Sequence, residues 1–354
     1  MINLNSAPEI ESLDKGKILK SIRSLDNQVS QVLDEMKNFT LPDSYKDIYN
    51  VVICGMGGSA LGGRIIKALT TPQSRIPIEI VTDYKLPYYV GEKTLVILSS
   101  YSGNTEETIS AFHSAQTKKA KVVGVSSGGK LADLLKSENL PSYIFDPIQN
   151  PSGQPRMSLG YSIATNIIIL NRGGVIDINE NDLSNTVAII SDFIKEFDTK
   201  VEVDKNRAKK LAQNLLSKAV IIFSSEHLYG IAHAFKNQIN ENAKTFSCLF
   251  DLPEANHHLL EGLEFPKSAK SNFHFLFFES KNYTTQIQKR YPITEDVVTQ
   301  CGHEFSVYKT FSQEKLAEIF EILVLGSYVS FYLAILNNID PSKIPWVDYF
   351  KTKL

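Results

Sequence analysis

The sequence predicts an α/β protein made of two doubly wound domains, each a parallel sheet flanked by helices. From residue 50 onward, short apolar segments of strand type alternate with helical segments. The alternation stops once, around residues 171–179, and then resumes. In both halves a strand runs into a serine-rich turn that opens a helix. Because such alternation favours a parallel sheet with helices on both faces, the two similar halves indicate a duplicated domain.

The first half supplies four predicted strands and three predicted helices. The strands are expected at 51–54, 78–82, 95–98 and 121–125, and the helices at 61–69, 106–116 and 158–170. The pattern before them predicts a helical N-terminal arm over residues 1–45, lying across the sheet or on a partner subunit. The first domain is therefore expected to span residues 46–172.

The second half begins after a break in the apolar pattern. Residues 171–179 contain two adjacent glycines among polar residues, which is typical of a linker. The second domain is expected to span residues 173–354. Its helices are predicted at 206–216 and 226–244, and its strands at 219–223, 246–250, 273–278 and 304–308.

The overall composition is that of an ordinary globular protein and excludes several classes of partner. The 354 residues include 37 Lys and Arg against 39 Asp and Glu, a net charge of −2. Such a balance gives no electrostatic footprint for nucleic acid or for an anionic membrane. Cys54, Cys248 and Cys301 share no short spacing, which disfavours a disulfide framework and a structural zinc site. The first residues lack the pattern of a signal peptide, so we expect a cytoplasmic protein.

One apolar stretch, residues 322–336, has the composition of a membrane span. It is shorter than the roughly 20 residues that cross a bilayer. Glu318, Glu321 and Asp340 flank it. We therefore expect a helix buried in the core or in a subunit interface.

Two loops rich in glycine and hydroxyl side chains follow the first and third predicted strands. Each opens a helical segment, where backbone N–H groups and the helix dipole attract anions. Hydroxyl groups of Ser and Thr add further donors, so a phosphate can be held without a lysine. The candidate ligands are Gly57, Gly58, Ser59, Ser100, Ser102 and Thr105.

Two other interpretations of these loops remain open on the residues alone. The first loop also fits the dinucleotide fingerprint G-x-G-x-x-[GA], with Asp83 where a ribose-binding acid would lie. A nicotinamide-dependent dehydrogenase is therefore one rival. The hydroxyls of the second loop favour a phosphate site, although a helix cap with a tight turn explains them as well.

Taken together, the two loops resemble a known family. Gly57-Gly58-Ser59 after a strand, paired with S-Y-S-G-N-T-E-E-T at 100–108, resembles the sugar isomerase (SIS) domain. The duplicated organisation resembles the phosphoglucose isomerase superfamily, and more narrowly its bifunctional phosphoglucose/phosphomannose isomerases. The resemblance covers roughly residues 45–354 and implies two SIS-type domains.

The resemblance also implies a reaction and a catalytic base. The family interconverts aldose and ketose sugar phosphates through a cis-enediol, which requires a carboxylate that moves a proton between C1 and C2. E-N-A-K at 241–244 matches the family's segment that carries this base, which points to Glu241. Spacing alone places Glu241 about 200° round the helix from Ile239, where a solvated glutamate is the ordinary interpretation.

A histidine is implied for opening the sugar ring. P-E-A-N-H at 253–257 matches the family's P-E-x-N-H segment, so the resemblance assigns this role to His257. In the superfamily this histidine comes from the partner subunit, which implies a homodimer. The chain has His258 where the family usually has Asn, so the choice between the two imidazoles stays open, with His257 favoured by register.

Two cations complete the set of residues that the resemblance implies. Arg156 matches an arginine that stabilises the enediolate, although by itself it reads equally as a surface arginine. D-Y-F-K at 348–351 resembles a segment whose lysine assists ring opening, which points to Lys351. Phe350 stands where the family more often has Leu.

The sequence therefore predicts a dimeric isomerase that acts on glucose 6-phosphate, mannose 6-phosphate and fructose 6-phosphate. No cofactor and no metal are expected, because the seven histidines show no metal-binding spacing. One alternative is a regulatory protein that binds a sugar phosphate without chemistry. Another is an isomerase for a different sugar phosphate.

Overall fold

The computed structural model describes residues 2–353, so Met1 and Leu354, the ends of the first and last predicted segments, lie outside the described residues. The chain forms two compact units. One is Ser24–Ala188, here called the middle unit. The other, the terminal unit, combines the chain up to Arg23 with the chain from Ile189 onward. These units divide the chain at positions other than the predicted 45 and 172.

The region predicted as a single arm is divided between the two units. It forms α1 (Ala7–Leu13), α2 (Ile18–Ile22) and α3 (Leu25–Glu35). In the middle unit, the Gln28 side chain of α3 donates to the carbonyl of Met157 at 2.8 Å. In the terminal unit, Ile10 of α1 and Ile18 and Ile22 of α2 are fully buried. The arm is divided because its helices bury apolar faces against partners far apart in sequence.

The middle unit contains a five-stranded parallel sheet. Its strands are β1 (Asn50–Cys54), β2 (Ile78–Val81), β3 (Thr94–Ser100), β4 (Lys121–Ser126) and β5 (Ser142–Ile144), in the order β2-β1-β3-β4-β5. Its helices are α4 (Gly58–Thr70), α5 (Glu106–Thr117), α6 (Gly129–Ser137) and α7 (Leu159–Arg172). Every residue of β3 is buried. Burial on both faces explains why β3 and its neighbours β1 and β4 are largely apolar.

Helix α8 (Glu180–Phe197) contains the boundary between the units, and the remaining elements belong to the terminal unit. The strands are β6 (Ala219–Ser224), β7 (Ser247–Asp251), β8 (Phe273–Glu279) and β9 (Glu304–Lys309), in the order β7-β6-β8-β9. The helices are α9 (Arg207–Asn214), α10 (Tyr229–Ala243), α11 (Ala269–Asn272), α12 (Thr285–Gln300), α13 (Lys315–Leu336) and α14 (Pro345–Lys351). All strand pairs are parallel.

The two sheets confirm the predicted fold class of two doubly wound parallel sheets flanked by helices. The order β7-β6-β8-β9 repeats β2-β1-β3-β4, so the terminal sheet lacks only a counterpart of β5. In both, the first strand lies between its two successors. Successive strands are therefore added on opposite sides of that strand, and ligands of open α/β sheets bind at such a switch in strand order.

Helix α13 is the apolar helix that the sequence predicts near residues 322–336. It has 22 residues, so it begins earlier than expected and is long and apolar enough to cross a bilayer, but its apolar stretch is entirely buried within the protein. The expectation of a buried helix is confirmed. Glu318 and Glu321, interpreted as charged flanks, are both buried residues of this helix.

Candidate functional site

The first glycine loop brings the start of α4 against another backbone segment. The chain turns after β1 through Gly57, whose φ of +49° lies in the left-handed region that favours glycine. A Cβ on Gly58 would lie 2.8 Å from the carbonyl carbon of Pro155 and 2.9 Å from the nitrogen of Arg156. Only glycine allows this approach, so the loop and the segment around Arg156 are neighbours.

The second loop forms a compact turn between β3 and α5. The hydroxyls of Ser100 and Thr105 lie 2.9 Å apart. The Gly103 N–H donates to Ser100 Oγ at 3.1 Å, and the Asn104 N–H donates to Ser102 Oγ at 3.2 Å. These bonds within the loop are those of a helix cap and a tight turn, so that alternative interpretation accounts for part of the loop's structure. The backbone N–H groups in the first turn of α5 have no acceptor within the helix, as at every helix start, and take no part in these bonds.

A direct hydrogen bond joins the two loops. The backbone N–H of Tyr101 donates to Ser59 Oγ at 3.0 Å. Since β1 and β3 are adjacent, the starts of α4 and α5 lie at the same carboxyl edge of the sheet. Helix N-termini and hydroxyls gathered at one edge are chemically suited to holding a phosphate.

Tyr101 is a member of this site that the sequence analysis missed. Besides its bond to Ser59, its backbone carbonyl accepts from Ser127 Oγ at 2.6 Å, and its hydroxyl accepts from Asn150 Nδ2 at 3.0 Å. The sequence signal that could have identified Tyr101 was its position between two predicted phosphate ligands, Ser100 and Ser102. Tyr101 thus ties the second loop to Ser59, Ser127 and Asn150.

Arg156 lies in the middle unit with both loops and is almost fully buried. Its exposed fraction is 1%, which rules out the surface-arginine interpretation. Its Nη1 donates to Gln154 Oε1 at 2.7 Å. Since α4 begins against the Arg156 backbone, this residue adjoins the first glycine loop.

Glu241 lies in the last turn of α10 and is half-buried. It is therefore neither a core residue nor a fully solvated one. The residues beside it hold α10 in place, because Gln238 Nε2 donates to Ser327 Oγ at 3.1 Å and Asn242 Nδ2 donates to Ser330 Oγ at 3.0 Å. Both acceptors belong to α13, so these two bonds fix the rotation of α10 about its axis and hence the direction of Glu241.

His257 and His258 are both exposed, in a short helical turn after β7. His258 Nε2 lies 2.8 Å from Glu254 Oε2. Among residues 2–353, the structure places no hydrogen-bond partner on the His257 ring. Of the two imidazoles, His257 is thus the one with both nitrogens open to a ligand or another chain.

Lys351 ends α14, a seven-residue helix with no buried residue. Large apolar side chains on this helix face solvent, including Trp346 at 80%, Tyr349 at 59% and Phe350 at 61% exposure. Exposed aromatic groups of this size are unusual on a free surface. Glu241, His257 and Lys351 thus lie on three different elements of the terminal unit.

The described residues hold no cluster of three or more His, Cys, Asp or Glu side chains arranged for a metal ion. Cys54, Cys248 and Cys301 are all free thiols. The groups that the structure gathers at the loops are hydroxyls and backbone N–H groups, and Arg156 lies beside them with its backbone against α4. Such groups bind and neutralise oxyanions.

Comparison with known proteins identifies a protein family to which this chain is similar. Residues 204–354 match the model described as the bacterial phospho-glucose isomerase C-terminal SIS domain. A bifunctional phosphoglucose/phosphomannose isomerase of Caldicellulosiruptor bescii is 35% identical over 339 residues, which cover 95% of this chain and 98% of that protein. A D-glucosamine-6-phosphate 4-epimerase of Sulfolobus acidocaldarius is 30% identical over 241 residues, or 66% of this chain and 72% of that protein.

A solved structure shows the same fold at low identity. The C-terminal domain of glucosamine-fructose-6-phosphate aminotransferase from Francisella tularensis superposes with a TM-score of 0.68. The match covers 92% of this chain and 96% of that one at 11% identity. At this identity the likeness concerns the fold alone, two parallel sheets flanked by helices.

Proposed function

Because the chain belongs to the family of bifunctional phosphoglucose/phosphomannose isomerases, we propose that it interconverts glucose 6-phosphate and mannose 6-phosphate with fructose 6-phosphate. The reaction is an aldose–ketose isomerisation through a cis-enediol, without a metal ion or cofactor. The observation that carries the proposal is the bond between Tyr101 and Ser59, which joins two anion-binding loops beside the buried Arg156.

The loops of the middle unit bind the phosphate of the substrate. The ligands are the backbone N–H groups at the start of α4 and α5 and the hydroxyls of the two loops, namely Gly57, Gly58, Ser59, Ser100, Ser102 and Thr105. Since these groups are held by bonds among themselves, little ordering is required when the phosphate binds. Such preorganisation favours affinity.

Glu241 is the base that carries the proton between C1 and C2. A carboxylate is suited to this role, and its half-buried position keeps it reachable while limiting its contact with water. Arg156 stabilises the negative charge of the enediolate. A buried guanidinium acts more strongly on that charge than an exposed one, because water screens it less.

His257 opens the sugar ring, assisted by Lys351. An imidazole exchanges protons near neutral pH, which suits both donation and removal at the ring oxygen. We assign His257 to the site of the partner subunit, so the active form is a homodimer. The exposure of the His257 ring and of the aromatic side chains on α14 supports this assembly. The free thiols fit a reducing compartment, and we place the enzyme in the cytoplasm.

The first test is a product analysis with EDTA present. Fructose 6-phosphate is supplied to the wild type, to Glu241→Gln, and to Glu261→Gln as a matched substitution at an exposed position of the terminal unit. We expect both aldose phosphates from the wild type, a loss of at least ~100-fold in Glu241→Gln, and full activity in Glu261→Gln. Binding of fructose 6-phosphate without turnover would instead support the regulatory protein. In a separate experiment the protein is incubated with glucosamine 6-phosphate, and chromatography detects any 4-epimer formed, as expected for an activity like that in the name of the Sulfolobus acidocaldarius relative.

The shared active site has its own test. The variants Glu241→Gln and His257→Ala, each expected to be inactive alone, are mixed in equal amounts. The conditions allow the dimers to exchange subunits. If His257 serves the partner's site, half of the dimers are mixed and each regains one intact site, so about a quarter of the wild-type activity returns. No recovery despite proven subunit exchange would place His257 in the site of its own chain.

A further inference from the structure

The two sheets share a strand order, so their residues can be matched position by position. In the middle unit Cys54 of β1 pairs with Leu98 of β3, and in the terminal unit Phe223 of β6 pairs with Phe277 of β8. Both pairs lie at the carboxyl end of the ladder that joins the two strands. Each residue that follows these strands in the middle unit therefore has a counterpart in the terminal unit, at the same distance along the chain.

Two positions of the proposed phosphate loops keep their local structure in the terminal unit. Three residues after the paired residue of the first strand come Gly57 and Glu226, and both adopt a left-handed backbone, with φ of +49° and +44°. Seven residues after the paired residue of the second strand come Thr105 and Thr284, which are the N-cap residues of α5 and α12. The terminal unit thus retains the turn and the helix start.

The carboxylate of Glu226 occupies the helix start at Thr284. The Thr284 N–H lies 3.1 Å from Glu226 Oε1 and 3.2 Å from Oε2, and Thr284 Oγ1 donates to Oε1 at 2.7 Å. Backbone N–H groups at the start of a helix, together with a hydroxyl, are donors that attract an anion. An anion that belongs to the protein itself therefore fills the counterpart of the proposed phosphate site.

The backbone at position 226 does not by itself favour a glutamate. A left-handed φ is unfavourable for a residue with a Cβ, whereas glycine, which stands at the counterpart, adopts it readily. The hydrogen bonds between the Glu226 carboxylate and Thr284 are available to offset this cost. The side chain is thus held at this turn by its contact with the start of α12, and the turn does not require it.

The terminal unit keeps the helix start without the full set of loop hydroxyls. Leu228 and Glu279 stand at the counterparts of Ser59 and Ser100. Lys309 offsets the charge of Glu279, because its Nζ lies 3.1 Å from Glu279 Oε2. A free anion at this helix start would depend mainly on backbone N–H groups and the threonine hydroxyl. It would therefore bind less tightly than an anion at the loops of the middle unit.

We propose that Glu226 is a built-in substitute for a phosphate group. Its carboxylate closes the anion-binding helix start of the terminal unit, so each chain takes up the phosphate of a sugar phosphate at one place, the loops of the middle unit. This inference rests on the proposed function of those loops. Replacing Glu226 by glycine, the residue at the counterpart, opens the closed place to a free phosphate.

The test is equilibrium dialysis of the full-length protein against radiolabelled inorganic phosphate. We expect the wild type to bind one phosphate per chain and Glu226→Gly to bind two, the second at least about tenfold more weakly because fewer hydrogen bonds hold it. Glu226→Gln is the matched control. It removes the same charge but keeps a side chain at the helix start, so it should bind one. Thermal unfolding checks that each variant is folded.

Two further variants locate the added phosphate. Glu226→Ala leaves the same place open and should also bind two. Thr284→Val, combined with Glu226→Gly, removes the hydroxyl at the helix start and should weaken the second phosphate about tenfold without affecting the first. The inference is overturned if Glu226→Gly and Glu226→Ala bind no more phosphate than the wild type, or if the wild type already binds two. A wild type that binds none beside a Glu226→Gly variant that binds one would support the role of Glu226 and count against the proposed function of the middle unit's loops.

Discussion

The side-chain amide of Asn242 donates to Ser330 Oγ at 3.0 Å, and this bond ties α10 to α13 at the residue next to Glu241. Both Asn242 and Ser330 are fully buried. One turn earlier, Gln238 and Ser327 form an equivalent bond. Polar pairs in an apolar interface permit one rotation of α10 only, because any other leaves buried donors without acceptors. The proposed base is thus oriented by its neighbours.

Ser330→Ala removes the hydroxyl that accepts a hydrogen bond from the buried Asn242 amide. We expect the free energy of unfolding to fall by about 1–3 kcal/mol. We also expect kcat to fall more than KM changes, because the direction of Glu241 is less fixed. Urea unfolding and steady-state kinetics measure the two effects. Ser271→Ala, at an exposed site, should change stability by less than about 0.5 kcal/mol. An unchanged kcat in a destabilised Ser330→Ala would show that the bond is purely structural.

Thr105→Val removes one hydroxyl of the second loop, the one that lies 2.9 Å from Ser100 Oγ. Loss of one hydrogen bond to a charged group corresponds to about a tenfold change in affinity. KM for fructose 6-phosphate and the inhibition constant of inorganic phosphate should therefore rise together. Thr117→Val makes the same change at the other end of α5 and should leave both constants unchanged. A rise in KM without weaker phosphate inhibition would count against a phosphate contact.

Gly58→Ala places a methyl group 2.8 Å from the carbonyl carbon of Pro155. Since the obstacle is backbone, α4 and the segment around Arg156 must move apart. A displacement of about 1 Å near a reacting group lowers the rate by about 100-fold. Gly91→Ala is the control, because no atom lies within 4 Å of the added methyl group. Comparable kcat/KM values in the two variants would show that this approach is not required.

The buried Glu318 makes stability depend on pH. Burial works to raise its pKa, but hydrogen bonds from His227, Thr310 and Ser280 outweigh burial and lower it. A carboxylate whose folded pKa is depressed stabilises the fold above its unfolded pKa of about 4.3, and this contribution is lost as the pH falls through the folded value.

Glu318→Gln should therefore lower the free energy of unfolding by about 1.5–3 kcal/mol at pH 7, as expected for replacing a buried charged group that accepts hydrogen bonds. The difference in the free energy of unfolding between Glu318→Gln and the wild type should shrink as the pH is lowered below 4. Guanidinium unfolding over that range measures it. A difference that stays constant with pH would mean that the charge of Glu318 contributes nothing.

The predicted strands are confirmed. Central strands such as β3 are apolar runs that the sheet buries on both faces, whereas the edge strand β9 is mostly half-buried. Helix α12 was not predicted because Pro292 interrupts its helical pattern; in the structure it packs against β8 and β9. The early start of α13 was missed because Glu318 and Glu321 read as surface charges. Their burial depends on partners such as His227 and Tyr308, which lie far along the sequence or in another element.

The candidate site was predictable to different degrees. The loop residues follow from local chemistry, because a strand, a hydroxyl-rich turn and a helix start suffice to suggest a phosphate site. The burial of Arg156 does not follow from its neighbours in sequence, since it depends on how α4 packs against the chain at 155–156. The roles of Glu241, His257 and Lys351 came only from the family resemblance and remain predictions.

The division of the chain has a consequence for biosynthesis. The middle unit, Ser24–Ala188, is a continuous segment that can fold once the ribosome has extended it past α8. The terminal unit instead needs the first residues of the chain and α13, which is made near the end. Its earliest helices must therefore wait, without their partners, while nearly the whole polypeptide is translated. We expect the nascent chain to acquire protease resistance in two stages, the middle unit before the ends.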